Sequence, residues 1–556
     1  MYQAQSIECI EHSDSDNYNY SYSLKALLQG IMDIAPVQDR YCTNLTVDSR
    51  DVISGGVFCA LQGHSKHGLE FAKQAQAQGA VAILAEISSD EAQYYRYYKE
   101  ELIARLDIPV LEIVDLKRHL NKIAGRFYGN PSDDLELLGV TGTNGKTSVC
   151  QFVSQSLNAI SDDNGNFSAN TISSNIPNSS NIPNRSNTSC GVIGTLGYGF
   201  PDQLTKTGWT TPNAIHIQSI LAELKTKGAT TVAMEVSSHA LDQGRVTGLP
   251  ITTAILTNIT RDHIDYHRNL GAYARTKQQL FKMQGLQYAI LNAQDPFGLS
   301  TLAILDKTVQ PVLYSLDPSF VSPRLPQRQT IQWLKLAFLE YHPKGMRLWI
   351  NSSWGEGNFS VPILGRFNAA NLLATLAVLL IKGYSLETSL QCMEKIQGVP
   401  GRLECFSKPS QPLVIVDYAH TPDALKQVLE VLQAHQPQRI ITVFGCGGER
   451  DRGKRSQMGT IAENMSDQII LTDDNPRSES GKGIIQDILS GMEKPNKVYI
   501  EQQRGRAIRQ AIKLAAKGDI VLIAGKGHET TQRIGDLEYP FSDRAEVAKI
   551  LSENSM

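Results

Sequence analysis

A chain of 556 residues is too long for one hydrophobic core; at roughly 150 residues per domain it implies three or four domains. With 53 Lys and Arg against 56 Asp and Glu, the formal net charge is −3, which excludes a broad positive field for nucleic acid or an anionic membrane. Any anionic ligand therefore has to be held by local sites.

In chain order, residues 1–23 are polar and acidic, without the basic stretch and apolar run of a secretion signal. From residue 45 to about 131, short apolar runs at 57–61, 80–84 and 110–114 alternate with helical patterns such as 68–78, which predicts a small α/β domain. A second segment opens with an apolar strand at 135–140 and a glycine-rich turn. It continues through β-type runs at 231–236, 251–256 and 288–291, each followed by a helix-compatible stretch, the pattern of a parallel sheet covered by helices. Residues 161–189 interrupt it with Asn and Ser and almost nothing apolar, a composition that predicts a disordered surface loop. Residues 306–333 carry no pattern that assigns them. The third segment, from about residue 365, repeats the alternation with strands at 413–416, 439–444, 468–471 and 519–524. Each of the four ends in a polar cluster, at the edge where open α/β sheets bind ligands.

The longest apolar helical run, 371–381, is about half a membrane span. Eight scattered cysteines (Cys9, Cys42, Cys59, Cys150, Cys190, Cys392, Cys405 and Cys446) form no C-x-x-C pair, which argues against a disulfide framework or a zinc site and fits a reducing compartment. The expectation is a cytoplasmic protein that engages neither nucleic acid nor membrane.

The sharpest motif is GVTGTNGKTS at 139–148, after a strand and before a helical run at 149–157. Glycines let backbone N–H groups approach phosphate oxygens, and the following helix presents its positive end. Thr141, Gly142, Thr143, Asn144 and Gly145 would form the cradle. Lys146 would neutralise the β- and γ-phosphates, and Thr147 would offer a hydroxyl to Mg²⁺. Val140 stands where the common P-loop pattern has its first glycine, so this is a variant loop. Two further strands end in polar clusters, MEVSSH at 234–239 and TNITRDHIDYH at 257–267. A hard Mg²⁺ ion prefers carboxylate oxygen, which selects Glu235.

The stretch GTNGKT at 142–147 resembles the ATP loop of the Mur ligase family, the peptidoglycan-precursor ligases related to folylpolyglutamate synthetase. The resemblance runs over nearly the whole chain from about residue 45 and is most specific for the member that adds the third peptide residue to UDP-N-acetylmuramoyl-L-alanyl-D-glutamate. It implies an α/β protein of three domains: a UDP-binding domain (1–134), a central P-loop-type ATPase domain on a parallel sheet (135–364) and a C-terminal Rossmann-like domain for the amino acid (365–556). It also implies a monomer with ATP as co-substrate and Mg²⁺ as cofactor. Glu235 and His263 become metal ligands with Thr147, Asp262 a candidate to brace them, and Lys277, otherwise an ordinary helix lysine, a carbamylated ligand. A carbamate supplies the negative oxygen that an ammonium cannot.

By the same resemblance, Phe367 and Asn371 in GRFNAAN (365–371) suit an adenine, one as an aromatic face and one as an amide. DYAH (417–420) followed by Thr421 and Pro422 resembles another motif near the nucleotide, although helix capping alone explains those two residues. Val47, Ser49 and His64 match loops that hold UDP. Thr210, Thr211, Ser237, Gln243 and Arg245 match positions that hold the muramoyl-dipeptide, with Arg245 supplying a cationic fork for a carboxylate. Trp209 departs from the family pattern, which commonly has Asn there. Asp474, Asn475, Pro476 and Arg477 are the family's signature for meso-diaminopimelate, whose second carboxylate distinguishes it from lysine and suits Arg477. Arg450 would pair with a carboxylate, and Gly525 and Glu529 would receive an amino group. Against this stand a lysine-adding ligase on the same scaffold, a folylpolyglutamate synthetase and a catalytically silent scaffold.

Overall fold

The computed structural model describes residues 21–63, 66–87, 100–162, 189–260, 262–323, 331–342, 345–408 and 411–553. His64 and most of the Asn/Ser-rich stretch, residues 163–188, lie outside the described residues. The chain divides into two compact units: Met1–Lys146 with Asn184–Ala289 and Ser300–Gln310, and Thr147–Pro183 with Ile290–Leu299 and Pro311–Met556.

In the first unit, Asn44–Thr46, Gly56–Ala60, Ala80–Ile87 and Val110–Val114 form a four-stranded parallel sheet. Its two central strands, Gly56–Ala60 and Ala80–Ile87, are apolar on both sides because both sides are covered. Val57, Cys59, Ala82 and Leu84 pack with helix Leu116–Phe127, whereas Phe58, Ala60, Ile83 and Ala85 face helix Ala72–Ala77. The same unit holds a second parallel set in the order Ile251–Leu256, Glu136–Thr141, Thr231–Glu235, Cys190–Gly194. Two short antiparallel strands, Gly197–Phe200 and Gln203–Thr205, extend it. Because the four strands run the same way, Gly142, Thr195, Val236 and Thr257 all leave from one edge. The candidate catalytic residues lie along that edge.

In the second unit, the order is Glu404–Phe406, Leu413–Asp417, Ile520–Ala524, Ile440–Phe444, Gln468–Leu471, Tyr499–Ile500, parallel except for the first. Along Leu413–Asp417, Leu413 and Ile415 enter one core and Val414 and Val416 the other, so the unbroken apolar run reflects burial on two faces. Each such side chain contributes about 1.5–3 kcal/mol on leaving water. Thr421 caps helix Pro422–Ala434 by accepting from Ala424 N, with Pro422 at the first position. The run expected at 371–381 belongs to helix Arg366–Ile381, buried on nearly all sides. No described helix is long and apolar enough to cross a membrane.

Strand and helix positions in the patterned segments agree with the sequence within a few residues. The structure adds what the pattern left open: a strand at Gln310–Ser315 and an antiparallel meander of Gln332–His342, Gly345–Ser352 and Gly355–Val361. The first meander strand is half-exposed and its register shifts between Leu336 and Phe338, which breaks the alternation that a sequence reading needs.

One ion pair lies wholly inside the second unit. Arg504 Nε and Nη2 donate to the two oxygens of Asp543 at 2.7 Å each, both side chains at 0% exposure, and Nη2 also donates to the Ala524 carbonyl. Removing one charge leaves the other buried without compensation, at a cost of about 3–5 kcal/mol. Asp543→Asn is therefore expected to lower the urea midpoint by that much stability at unchanged slope; a midpoint equal to wild type would show that the pair is dispensable.

Candidate active site

At the strand edge of the first unit, Gly142 follows Glu136–Thr141 with φ +150, and a Cβ on it would lie 1.9 Å from Thr257 Oγ1. Only glycine fits there. The loop that follows is pinned by the neighbouring strand end. Thr143 N donates to Asn258 O (2.7 Å), Asn144 N to Asn258 Oδ1 (3.0 Å), and Thr260 N to Thr143 Oγ1 (2.9 Å). Thr141, expected in the cradle, is buried, and its hydroxyl donates to Val236 O. Helix Lys146–Asp162 follows this loop directly in the chain.

Lys146 Nζ donates to the carbonyls of Gly142 and Thr143 at 2.8 and 2.9 Å. Lys277 Nζ, from helix Leu270–Gln278, donates to the same Gly142 carbonyl at 2.9 Å. Lys277 is not the solvated lysine its local sequence suggests; it is 1% exposed. Burial first, and the nearby Lys146 charge second, push its ammonium well below the ordinary lysine range, and Asp262 pulls it back only in part. The amine is thereby biased toward its neutral form.

Glu235 ends its strand 1% exposed, and its carboxylate accepts from Thr195 N (2.7 Å) and Thr195 Oγ1 (3.2 Å). The Gly194 backbone lies so close that a Cβ would meet Glu235 Oε1 at 2.2 Å. Thr195 is a residue that sequence reasoning missed; its only signal is a hydroxyl directly after a strand. His263 is half-exposed with φ +50, its Nε2 3.4 Å from Asp262 Oδ2 and its ring 4.8 Å from that of His239. Among the described residues, no group of three or more His, Cys, Asp or Glu is arranged to hold a metal ion.

The dipeptide candidates connect this edge to a cleft of about 1110 Å³ in the same unit. Thr210 Oγ1 lies 3.1 Å from Thr195 Oγ1, and Thr211 Oγ1 donates to Glu235 O while Ser237 N donates to Thr211 Oγ1. Val47, Ser49, Trp209, Gln243 and Arg245 line the cleft. Arg245 Nε and Nη2 donate to Gln243 Oε1, and Nη1 donates to Thr211 O. All these acceptors are neutral, and burial pushes the guanidinium pKa down. A partly desolvated cation with no ion-pair partner among the described residues favours an arriving anion. Trp209, exposed in the cleft, places its ring 5.6 Å from Arg245 Cζ, so the departure at 209 becomes a cation–π contact.

In the second unit, Phe367 is 47% exposed and offers a ring, whereas Asn371 is buried and its amide donates to Asn368 Oδ1 at 3.0 Å. Asp417, at a strand end, accepts from Leu403 N and Ala419 N, which occupies its carboxylate with backbone. The amino-acid candidates meet at the strand ends of the C-terminal sheet. Asn475 Nδ2 donates to Glu529 Oε2 (3.0 Å), and Lys526 Nζ donates to the same oxygen (2.7 Å) and to Asn475 Oδ1 (3.1 Å). Lys526, inside the GKGHE motif yet absent from the sequence expectations, has no exposed side chain. Burial would raise the Glu529 carboxyl, but Lys526 outweighs it and the net pKa is lowered. Asp474 goes the other way: burial raises it, with Arg504 and Lys526 pulling down. A Cβ on Gly525 would meet Asp474 Oδ2 at 2.5 Å. Arg477, in left-handed backbone at φ +52, donates from Nη1 to Gly448 O at 2.6 Å. Arg450 is exposed.

Gly142→Ala is expected to displace the phosphate loop and weaken nucleotide binding by about tenfold or more, read by titration with a fluorescent ADP analogue. Wild-type affinity in that variant would mean the loop does not hold phosphate.

Three family models tile the chain: the Mur ligase family catalytic domain at 42–128, the Mur ligase middle domain at 140–379, and the Mur ligase glutamate ligase domain at 401–527. A UDP-N-acetylmuramoyl-L-alanyl-D-glutamate–2,6-diaminopimelate ligase of Alkalilimnicola ehrlichii is 43% identical over 531 residues, 95% of this chain and 99% of its own. The protein of the same name from Coxiella burnetii is 40% identical over 91% of this chain and 95% of its own. A solved structure, also a UDP-N-acetylmuramoyl-L-alanyl-D-glutamate–2,6-diaminopimelate ligase, superposes with a TM-score of 0.66 at 31% identity, covering 96% of this chain and all of that one. Similarity at this level along almost the entire length, with an intact phosphate loop at its centre, leaves one conclusion: the chain belongs to the Mur ligase family.

Proposed function

We propose that the chain is a cytoplasmic, monomeric, ATP-dependent ligase that joins meso-diaminopimelate to UDP-N-acetylmuramoyl-L-alanyl-D-glutamate through an acyl phosphate, releasing ADP and phosphate. Residues 1–134 hold the UDP moiety, 135–364 the nucleotide and 365–556 the incoming amino acid. The observation that carries the reading is Arg477: its backbone is held in a left-handed conformation and its Nη1 is tied to the Gly448 carbonyl, so a cationic fork is fixed in the loop that a lysine-selective enzyme does not need.

Magnesium fits the donors of the first unit. Glu235 is a buried carboxylate aimed by Thr195, and His263 precedes the short helix Ile264–His267 that follows strand Ile251–Leu256. A Lys277 carbamate and nucleotide oxygens would make the set oxygen-rich. When bound, the ion screens the two anions that must meet, the glutamyl carboxylate and the γ-phosphate. The chain's own residues do the remainder. Lys146 neutralises phosphate charge and Arg245 orients a substrate carboxylate. Glu529, kept ionised by Lys526, receives an ammonium, and Arg450 and Arg477 take carboxylates. The neutral amine then displaces phosphate from the acyl carbon to form the amide. Phe367 and Asn371 attend the adenine, for which Asn371 would have to release Asn368.

Neutral Lys277 is the form that adds to carbon dioxide, so the bias of its buried site supports carbamylation. Protein stripped of bicarbonate is expected to lose activity and regain it when bicarbonate returns, and Lys277→Ala to fall by about a hundredfold or more. Full activity in Lys277→Ala would remove the lysine from the mechanism.

The substrate assignment is tested by phosphate release and product mass with the UDP-dipeptide, ATP, and either meso-diaminopimelate or lysine. Diaminopimelate is expected to be used, and Arg477→Ala to lose about 10- to 100-fold in its kcat/KM. Preference for lysine, or for a folate acceptor, would overturn the assignment.

A further inference from the structure

Behind the amino-acid loops of the second unit lies a buried cation that the reaction as proposed does not use. Arg455, on helix Gly453–Met465, has a side chain 1% exposed. Its Nη1 donates to Glu479 Oε2 (2.9 Å) and to Asp487 Oδ2 (2.8 Å). Its Nη2 donates to Glu479 Oε1 (3.1 Å) and to the Gly447 carbonyl (3.3 Å). Glu479 in turn accepts from the backbone N–H of Glu449. One guanidinium and one carboxylate thus join the loop carrying Arg450 to the loop carrying Arg477.

The two loops are in close contact elsewhere. Gly448 N donates to Asn475 O at 2.9 Å, and a Cβ on Gly448 would overlap Pro476 O at 1.9 Å. A Cβ on Gly447 would lie 3.1 Å from Arg477 Nη1 and 3.6 Å from Arg450 Cγ, so both arginines flank that glycine. Glu449 and Arg477 both hold positive φ. Backbone of this kind persists only where surrounding bonds over-determine it. Arg455 and Glu479 supply those bonds from beneath.

We propose that Arg455 and Glu479 are positioning residues for amino-acid specificity: they clamp the two loops so that Arg450 and Arg477 keep the separation that matches the carboxylates of the incoming amino acid. The inference rests on the diaminopimelate reading above. Neither residue need touch substrate, and neither bears on ATP or on the UDP-dipeptide. A bidentate fork is required because one side chain must hold two carboxylates and a carbonyl at once, which an ammonium cannot do with the same geometry.

Arg455→Lys and Glu479→Gln test the clamp, the second guarding against a misfolded first. Steady-state kinetics are measured for all three substrates, with diaminopimelate and lysine in parallel. In both variants, KM for diaminopimelate is expected to rise about tenfold or more while KM for ATP and for the UDP-dipeptide stays within about twofold. The diaminopimelate-to-lysine ratio of kcat/KM is expected to fall. A purely structural role would shrink the active fraction, lowering kcat with every KM and the ratio unchanged, and that result would overturn the proposal. Failure of the diaminopimelate reading shows instead in the wild type, as preference for another amino acid.

Discussion

The absence of a side chain at residue 142 is the constraint on which the nucleotide end of this protein depends. A methyl group there would occupy the place of the Thr257 hydroxyl, so the loop after Glu136–Thr141 and the end of Ile251–Leu256 can touch only through glycine. From that contact the rest follows. The loop closes onto Asn258 and Thr260, and its Gly142 carbonyl turns toward two lysines. Burying Lys277 beside the Lys146 charge is what lowers its basicity.

The two units handle charge differently, in keeping with what each is proposed to bind. In the first unit, Arg245 is held by an amide and a carbonyl, neutral groups that orient a guanidinium without neutralising it. Its unbalanced charge is reserved for an anion. In the second unit, the three buried cations among the described residues are matched within the protein: Arg504 with Asp543, Lys526 with Glu529, Arg455 with Glu479 and Asp487. Paired in this way, they stiffen loops whose outer charges remain for an amino acid that carries both signs. The Arg455 bond holds the Glu479 carboxyl down at about 2, so this junction stays ionised through any working pH.

Much of the site was legible because its chemistry is local. The phosphate loop, Glu235 at a strand end and the cluster from Asp474 to Arg477 each occupy a few consecutive residues between an apolar run and a helix. The partners that aim them were not legible. Thr195 is 40 residues from Glu235, Arg504 is 39 from Asp543, and Arg455 is 24 from Glu479. No spacing rule connects such pairs, since each forms only when the fold brings separate elements together: strand ends for Thr195 and Glu235, two helices for Arg504 and Asp543, a helix and a loop for Arg455 and Glu479. Lys277 is the sharpest case: its neighbours in sequence describe a surface helix, and its burial comes from the fold around it, where its ammonium meets the Gly142 carbonyl and the Tyr273 ring.

By itself, the sequence determined the alternation of apolar strands and helices, the parallel strands at the centre of the sheets and the glycine-rich loop proposed to hold phosphate. These are set by periodicity and by short runs of residues that interact with their own neighbours. The tertiary structure decided which charges are buried, which carboxylates are aimed and by what, and that Trp209 faces Arg245. Those properties depend on contacts between segments far apart in the chain, and on how much water the fold excludes around them.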